Sequence, residues 1–212
     1  MTQSEDDWFP DEKNLKGWWE DFWGNRETPF GGPSKNLFPT IAEEISDRRG
    51  EVLSAIDIAS GNGRYAIPMA ELGCNVTAFE WTDSGAKRIR ELAEDRGLQI
   101  KVDQADFTSA CFENRSYDLV VCSGLLEEID PIHHVNAVTS FCRWTSPGGM
   151  SAIKYCLELE GRGQLVEAGL TERILRDEGM DIISSFEQEK LKISLATKMG
   201  SRTGTVIARQ PR

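Results

Sequence analysis

Residues 55–64 read AIDIASGNGR: a short apolar run closes around Asp57, and Gly61 and Gly63 follow within six residues of it. An apolar run of that length is a buried strand. The two glycines behind it mark a turn whose backbone needs conformations that side chains resist. What the turn holds depends on what lies downstream.

From residue 52 onward, short apolar runs alternate with stretches of helical period. VLSAIDI (52–58) reads as a strand and RYAIPMAEL (64–72) as a helix closed by Gly73. CNVTAFE (74–80) is the next strand, and Ser84 is placed to cap a helix running through AKRIRELAEDR to Gly97. LQIKVDQ (98–104) and YDLVVCS (117–123) are two further strands. A helix over 132–143, the turn SPGG and the strand MSAIKYCLEL follow, then a helix near 164–177 and strands at 180–187 and 203–209. Strands separated by helical crossovers imply a parallel sheet with helices on both faces. The last two strands follow one another without a helix and predict an antiparallel edge. The expected fold is α/β, doubly wound, with a mostly parallel seven-stranded sheet.

Composition narrows the function. The 212 residues hold 39% apolar and 28% charged residues, as an ordinary globular domain does. With 24 Lys and Arg against 35 Asp and Glu, the net charge of −11 repels nucleic acid and anionic membranes at long range. No apolar run reaches the 18 or so residues of a membrane span, and MTQSEDDWFPDEK is unlike a signal peptide. Cys74, Cys111, Cys122, Cys142 and Cys156 form no CxxC pair, which fits reduced thiols in a cytoplasmic protein and no metal site.

In an open α/β sheet a ligand sits beyond the carboxyl ends of the strands, so the loop after the first strand is the place to look. A P-loop needs GxxxxGK[ST], and no such lysine follows Gly63. The dinucleotide pattern GxGxxG fails at Ala66. DIASGNG is closer to DxGxGxG with Ala59 at the first glycine. Glu80 ends the second strand, 23 residues after Asp57, where an acid accepts from ribose hydroxyls. ADF (105–107) follows the third strand, and YDLVVCSGLLEEI and SPGGM follow in order. With these motifs, residues 52–209 resemble the class I S-adenosylmethionine (SAM) methyltransferases, whose fold is Rossmann-like.

The resemblance implies SAM as cofactor, bound by Asp57, Ala59, Gly61, Gly63, Glu80, Trp81, Asp106, Phe107 and Ser123. The glycines admit close backbone approach, Glu80 grips the ribose, and Asp106 and Phe107 take the adenine, with Trp81 flanking it. Asp57 either contacts the donor or orients the turn by accepting from backbone N–H groups.

The acceptor site must come from additions to the sheet. Residues 1–50 form an expected helical flap or lid on a catalytic domain at 51–212, with Ser34 a candidate cap for a helix that resumes there. Trp19, Trp23, Thr28 and Phe30 resemble the N-terminal segment of the thiopurine and tellurite-resistance methyltransferases, which implies a small-molecule acceptor. Tryptophans at helical spacing equally serve to anchor an amphipathic helix. The expected acceptor site lies near Trp19, Trp23, Phe30, Leu126, Glu127 and Tyr155. A general base is needed only when the acceptor is protonated at neutral pH. The candidates are Glu127, Glu128, His133 and His134, where many small-molecule relatives read E-H at the two glutamates. The NPPY-type sequence of amino-directed nucleic-acid methyltransferases is absent; SGLL stands there. Two alternatives keep the donor site: other SAM chemistry on the same fold, and a SAM-binding protein without catalysis. A nicotinamide-dependent reductase is a third.

Overall fold

In the computed structural model, which describes residues 14–25, 31–107, 112–190 and 200–212, the run ahead of the glycine turn is strand β1 (Ser54–Ile58). Two helices precede it, α1 (Leu15–Gly24) and α2 (Phe38–Asp47). Helix α3 (Ala66–Glu71), strand β2 (Asn75–Glu80), helix α4 (Asp83–Asp95) and strand β3 (Ile100–Gln104) follow. Strand β4 (Tyr117–Ser123), a 3-10 turn (Pro131–His133), helix α5 (His134–Trp144) and the long strand β5 (Thr145–Leu159) come next. Strand β6 (Gly163–Gln164), helix α6 (Leu170–Asp177), strand β7 (Asp181–Lys190) and strand β8 (Ser201–Arg209) complete the described elements.

The strands lie in the order β3-β2-β1-β4-β5-β8-β7, with β6 paired to β5. The pairs among β1 to β5 are parallel, while β5–β8 and β7–β8 are antiparallel. This is the expected doubly wound sheet with its antiparallel edge. The chain leaves β1 toward β2 on one side and returns to β4 on the other, so a crevice opens between the carboxyl ends of β1 and β4.

Both faces of the sheet are covered, so its central strands are apolar on both sides. Ile56, Ile58, Val120 and Ile153 pack with Phe141 of α5 and Leu175 of α6. Their neighbours Ala55, Val121 and Ala152 pack with Leu37 and Ile41 beside and within α2, Met69 of α3 and Ile89 of α4. The period of two along each strand separates the cores. Each buried Leu, Ile or Phe contributes about 1.5–3 kcal/mol. Leu37 and Ile41 are fully buried, so α2 is part of the core; of the two described helices ahead of β1, α1 is the one that lies against the turn at its carboxyl end.

Local details differ from expectation for identifiable reasons. Helix α4 is capped by Thr82, whose Oγ1 accepts from the Gly85 N–H at 3.2 Å; Ser84 lies inside the first turn. Ser34 stops the chain ahead of α2 through its carbonyl, which accepts from the Leu37 and Phe38 N–H groups, and not through its side chain. The helix expected from 164 starts at Leu170, because residues 163–164 turn back to pair with Glu158 and Leu159. Phe30, Thr28 and Cys111 lie outside the described residues. Among the described residues, no helix is long and apolar enough to cross a membrane.

Candidate functional site

The turn after β1 is built by three left-handed residues: Ala59 (φ 57°), Gly61 (φ 57°) and Gly63 (φ 81°). Serine and aspartate hold it. The Ser60 Oγ donates to the Asp57 carbonyl at 2.6 Å, and the Ser60 N–H donates to the Phe79 carbonyl at 3.1 Å. The Asp57 Oδ2 accepts from the Ala66 N–H at 2.9 Å, fastening the start of α3 to the end of β1. Through this bond Asp57 orients the turn, one of the two roles open to it. Burial pushes its carboxyl up to about 7, with Glu80 adding to the shift and the Ala66 N–H and Arg64 opposing it.

Ala59 stands in a conformation that costs an L-residue roughly 1–2 kcal/mol. Ala59→Gly is therefore expected to stabilise the protein, by about 1 kcal/mol once the freedom glycine gains in the unfolded chain is set against the relief. Urea unfolding of the two proteins side by side checks this; a lower midpoint for the variant would contradict it.

Glu80 closes β2 with its carboxylate buried against the turn. Its Oε2 accepts from the Gly61 N–H at 2.7 Å, and its Oε1 accepts from the Thr82 N–H at 2.9 Å and hydroxyl at 2.6 Å. Burial raises its pKa, and these donors pull the other way. An acid, a glycine N–H and the crevice thus meet at one point. The close packing extends to Gly85, where a Cβ would stand 2.7 Å from the Gly61 carbonyl oxygen.

Helix α1 lies over this point. A Cβ on Gly61 would stand 2.5 Å from the Trp23 ring, so the indole rests directly on the glycine backbone. Trp19 stacks on Trp23, with centroids 5.5 Å apart and planes at 20°. Glu20, between them, accepts from the Asp83 N–H at 2.6 Å and the Ser84 N–H at 2.9 Å at the start of α4. A carboxylate there faces the positive end of the helix, an arrangement worth about 0.3–1 kcal/mol. Burial pushes the Glu20 carboxyl up, but the Ser84 and Asp83 N–H groups, the Ser84 hydroxyl and Lys16 hold it below its ordinary range.

The turn after β4 meets α1 from the other side of the crevice. The Trp19 indole N–H donates to Glu128, and Arg162 lies 3.8 Å from the same carboxylate. Burial and the neighbouring Glu127 push Glu128 up to about 7, opposed by Arg162 and Trp19. Burial also raises Glu127, against its own N–H, the Cys156 N–H, Arg162 and Lys154. The Glu127 Oε2 is buried without a hydrogen-bond partner among the described residues. His134 is buried at the start of α5, its Nε2 2.7 Å from the Leu126 carbonyl oxygen, so it holds the turn that carries both glutamates.

Of the residues expected on the acceptor side, Leu126, His133 and Tyr155 lie elsewhere. Leu126 is buried in the core, with its carbonyl on His134, and His133 is exposed on the 3-10 turn. Tyr155 is buried beneath β8, its hydroxyl donating to Glu172 of α6 at 3.4 Å and its ring against Gly204. Phe107 is half-buried against Phe141 and Trp144, Asp106 is exposed, Trp81 is half-buried, and Ser123 ends β4 level with Lys154. Glu20, Thr82, Lys154 and Arg162 were not expected in the site. For Glu20, the visible signal is its place between two tryptophans at helical spacing.

Comparison with known proteins agrees with this geometry. Residues 55–149 match the model of a family described as a methyltransferase domain. A ubiquinone biosynthesis O-methyltransferase of Rickettsia canadensis is 25% identical over 149 residues, covering 67% of this chain and 59% of that protein. One from Rickettsia prowazekii is 28% identical over 148 residues, covering 67% of this chain and 55% of that protein. The chain thus spans little more than half the length of these two relatives. Among solved structures, magnesium protoporphyrin IX methyltransferase (ChlM) of Synechocystis PCC 6803, with bound SAH, superposes with a TM-score of 0.73 at 13% identity. That match covers 95% of this chain and all of the other. TehB of Haemophilus influenzae superposes with a TM-score of 0.68 at 16% identity, covering 91% and 67%. At such identities the structural likeness is one of fold. Over residues 55–149 the chain thus resembles a methyltransferase domain, and the glycine turn at the β1/β4 crevice and the acid closing β2 both lie within that stretch.

Proposed function

We propose that this protein transfers a methyl group from SAM to a small-molecule acceptor bound between α1 and the turn after β4. The observation that carries the reading is the bond from the Gly61 N–H to the buried Glu80 carboxylate, at the mouth of a left-handed glycine turn. The residues fit the donor: positive-φ glycines leave room for close backbone approach, and Glu80 offers an acid to the ribose hydroxyls in place of the Gly61 N–H. Gly61 and Gly63 line the methionine side in this reading; Asp57 and Ala59 shape the turn; Trp81, Asp106, Phe107 and Ser123 border the adenosine. When bound, the donor supplies a methyl group on a positively charged sulfur.

This chain's own residues supply alignment and exclusion of water, which account for most of what a displacement of this kind requires. Helix α1, with Trp19 and Trp23 on the crevice, is the covering element; within residues 1–50, α2 belongs to the core. The net charge of −11 supports an acceptor other than nucleic acid, and the free thiols of Cys74, Cys122, Cys142 and Cys156 fit a cytoplasmic protein.

Calorimetric titration with SAM and with S-adenosylhomocysteine (SAH) tests the reading: both are expected to bind in the micromolar range. Glu80→Ala is expected to weaken both by about 1–3 kcal/mol, the cost of losing a charged hydrogen-bond partner. No binding of either ligand to the wild-type protein would overturn the donor site, and unchanged affinity in the variant would remove Glu80 from it.

A further inference from the structure

The crevice leaves open which atom is methylated, and the acids on the acceptor side bear on it. Glu128 is the nearer of the two to α1. Its side chain is 17% exposed, and it accepts from the Trp19 indole N–H. Trp19 stacks on Trp23, and Trp23 rests on Gly61, so one stacked pair of rings separates Glu128 from the glycine turn. An acid at that position stands beside any acceptor lying between α1 and the turn after β4. A thiolate or a metalloid oxyanion needs no base, and for either of them two semi-buried acids would be an obstacle through like-charge repulsion. A hydroxyl that keeps its proton at neutral pH needs one.

We propose, resting on the donor reading above, that Glu128 is the general base of the transfer and that the acceptor atom is the oxygen of a phenol-type hydroxyl. As the acceptor oxygen bonds to the methyl carbon, its proton passes to the Glu128 carboxylate. The sulfur–methyl bond breaks with its electron pair left on sulfur. The products are a methyl ether, a neutral thioether and a protonated Glu128, which returns its proton to water.

The surroundings suit that step. Arg162, 3.8 Å from Glu128, and Lys154, facing Glu127, bring positive charge to where a phenolate develops, and they disfavour an ammonium acceptor. The other titratable groups facing the two glutamates, among the described residues, are the Cys122 and Cys156 thiols. Burial and Glu127 carry Glu128 up to about 7, in the range where a carboxylate accepts a proton efficiently. Trp19 is a positioning residue: its N–H favours the ionised form of Glu128.

The test uses the full chain with labelled SAM and two probes, catechol and thiophenol, the second largely ionised in mildly alkaline buffer. Wild-type kcat/KM for catechol is expected to rise with pH and level off as Glu128 ionises. Glu128→Gln is expected to lower the catechol rate by about 10²–10⁴-fold, while SAH affinity stays within about twofold and the thiophenol rate rises, the charge that repels the thiolate being gone. Trp19→Phe is expected to move the midpoint of the catechol profile upward, because the donor that favours the ionised form is gone. A change confined to packing would not move that midpoint. Catechol methylation that survives Glu128→Gln would overturn the inference, as would methylation of thiophenol alone or of neither probe by a protein that binds SAH. Failure of the wild type to bind SAH would be a different result and would sink the donor reading itself.

Discussion

Gly61→Ala is expected to dislodge α1 and to destabilise the protein by about 2–5 kcal/mol, the sum of two separate effects. The first is conformational: Gly61 sits at φ 57°, where an alanine is strained by roughly 1–2 kcal/mol. The second is steric: the new Cβ would stand 2.5 Å from the Trp23 Cζ2, 2.8 Å from its Cη2 and 3.0 Å from its Cε2. Overpacking of this kind typically costs 1–3 kcal/mol, and the indole has little room to give, being stacked on Trp19 and edge-on to Phe22.

The helix can escape by lifting off, so the steric part is limited by what holds α1 down, chiefly Glu20 at the start of α4 and the aromatic contacts. A red-shifted tryptophan emission and faster proteolysis at α1 would report that escape. A double-mutant cycle separates the two effects. With Trp23→Ala in place, Gly61→Ala is expected to cost only the conformational part, leaving a coupling energy of about 1–3 kcal/mol. Equal costs in both backgrounds would mean that Trp23 does not rest on the glycine turn. SAH titration of the same four proteins would show whether removing the ring opens the crevice to the donor or strips away part of its wall.

How far the site could be read from the chain depends on whether each contact is local. The strands around the crevice are buried on both faces, which leaves an uninterrupted apolar run that is hard to misread; YDLVVCS spans β4 residue for residue. Glu80 was legible because an acid closing the second strand is a feature of position, and Asp57 because it ends an apolar run beside glycines. The contacts of α1 were not legible. Glu20 meets Asp83 and Ser84 across 63 and 64 residues, and nothing in WWEDFW specifies that partner.

Tyr155 and Leu126 show the opposite difficulty. Each stands in an apolar stretch after the fourth strand, close to the crevice in sequence, but the alternation of β5 turns Tyr155 toward α6 while its neighbour Lys154 faces Ser34. A one-residue change of register would exchange them. His134 was singled out as a chemical group, and its ring is instead buried against a main-chain carbonyl that fixes the glutamate turn.

Asp57 gives the second large effect, and it is one of pH. Its carboxyl is 1% exposed, and burial carries it from an ordinary 3.8 to about 7. In the unfolded chain the group ionises near its ordinary value; in the folded protein it keeps its proton to near neutrality. Between those two values the native state binds the extra proton, so stability is fully present below about pH 4 and is lost as pH rises toward 7. The full difference is on the order of 4 kcal/mol, at about 1.36 kcal/mol per pH unit of separation.

Asp57→Asn removes that titration while keeping an oxygen for the Ala66 N–H. In urea unfolding at a series of pH values, the variant is expected to gain on the wild type steadily from pH 4 to 7 and to hold its advantage above that. A gap that stays flat would show that Asp57 ionises at its ordinary value. The same charge bears on the donor. SAM carries a positive sulfur and SAH does not, so a cation beside Asp57 favours the ionised carboxyl. SAM binding near pH 7 is expected to release more protons than SAH binding, read as the dependence of the calorimetric heat on buffer ionisation enthalpy, and Asp57→Asn is expected to abolish the difference. If the two ligands released equal numbers of protons, the sulfur would not lie close to Asp57, and the aspartate would serve the turn alone.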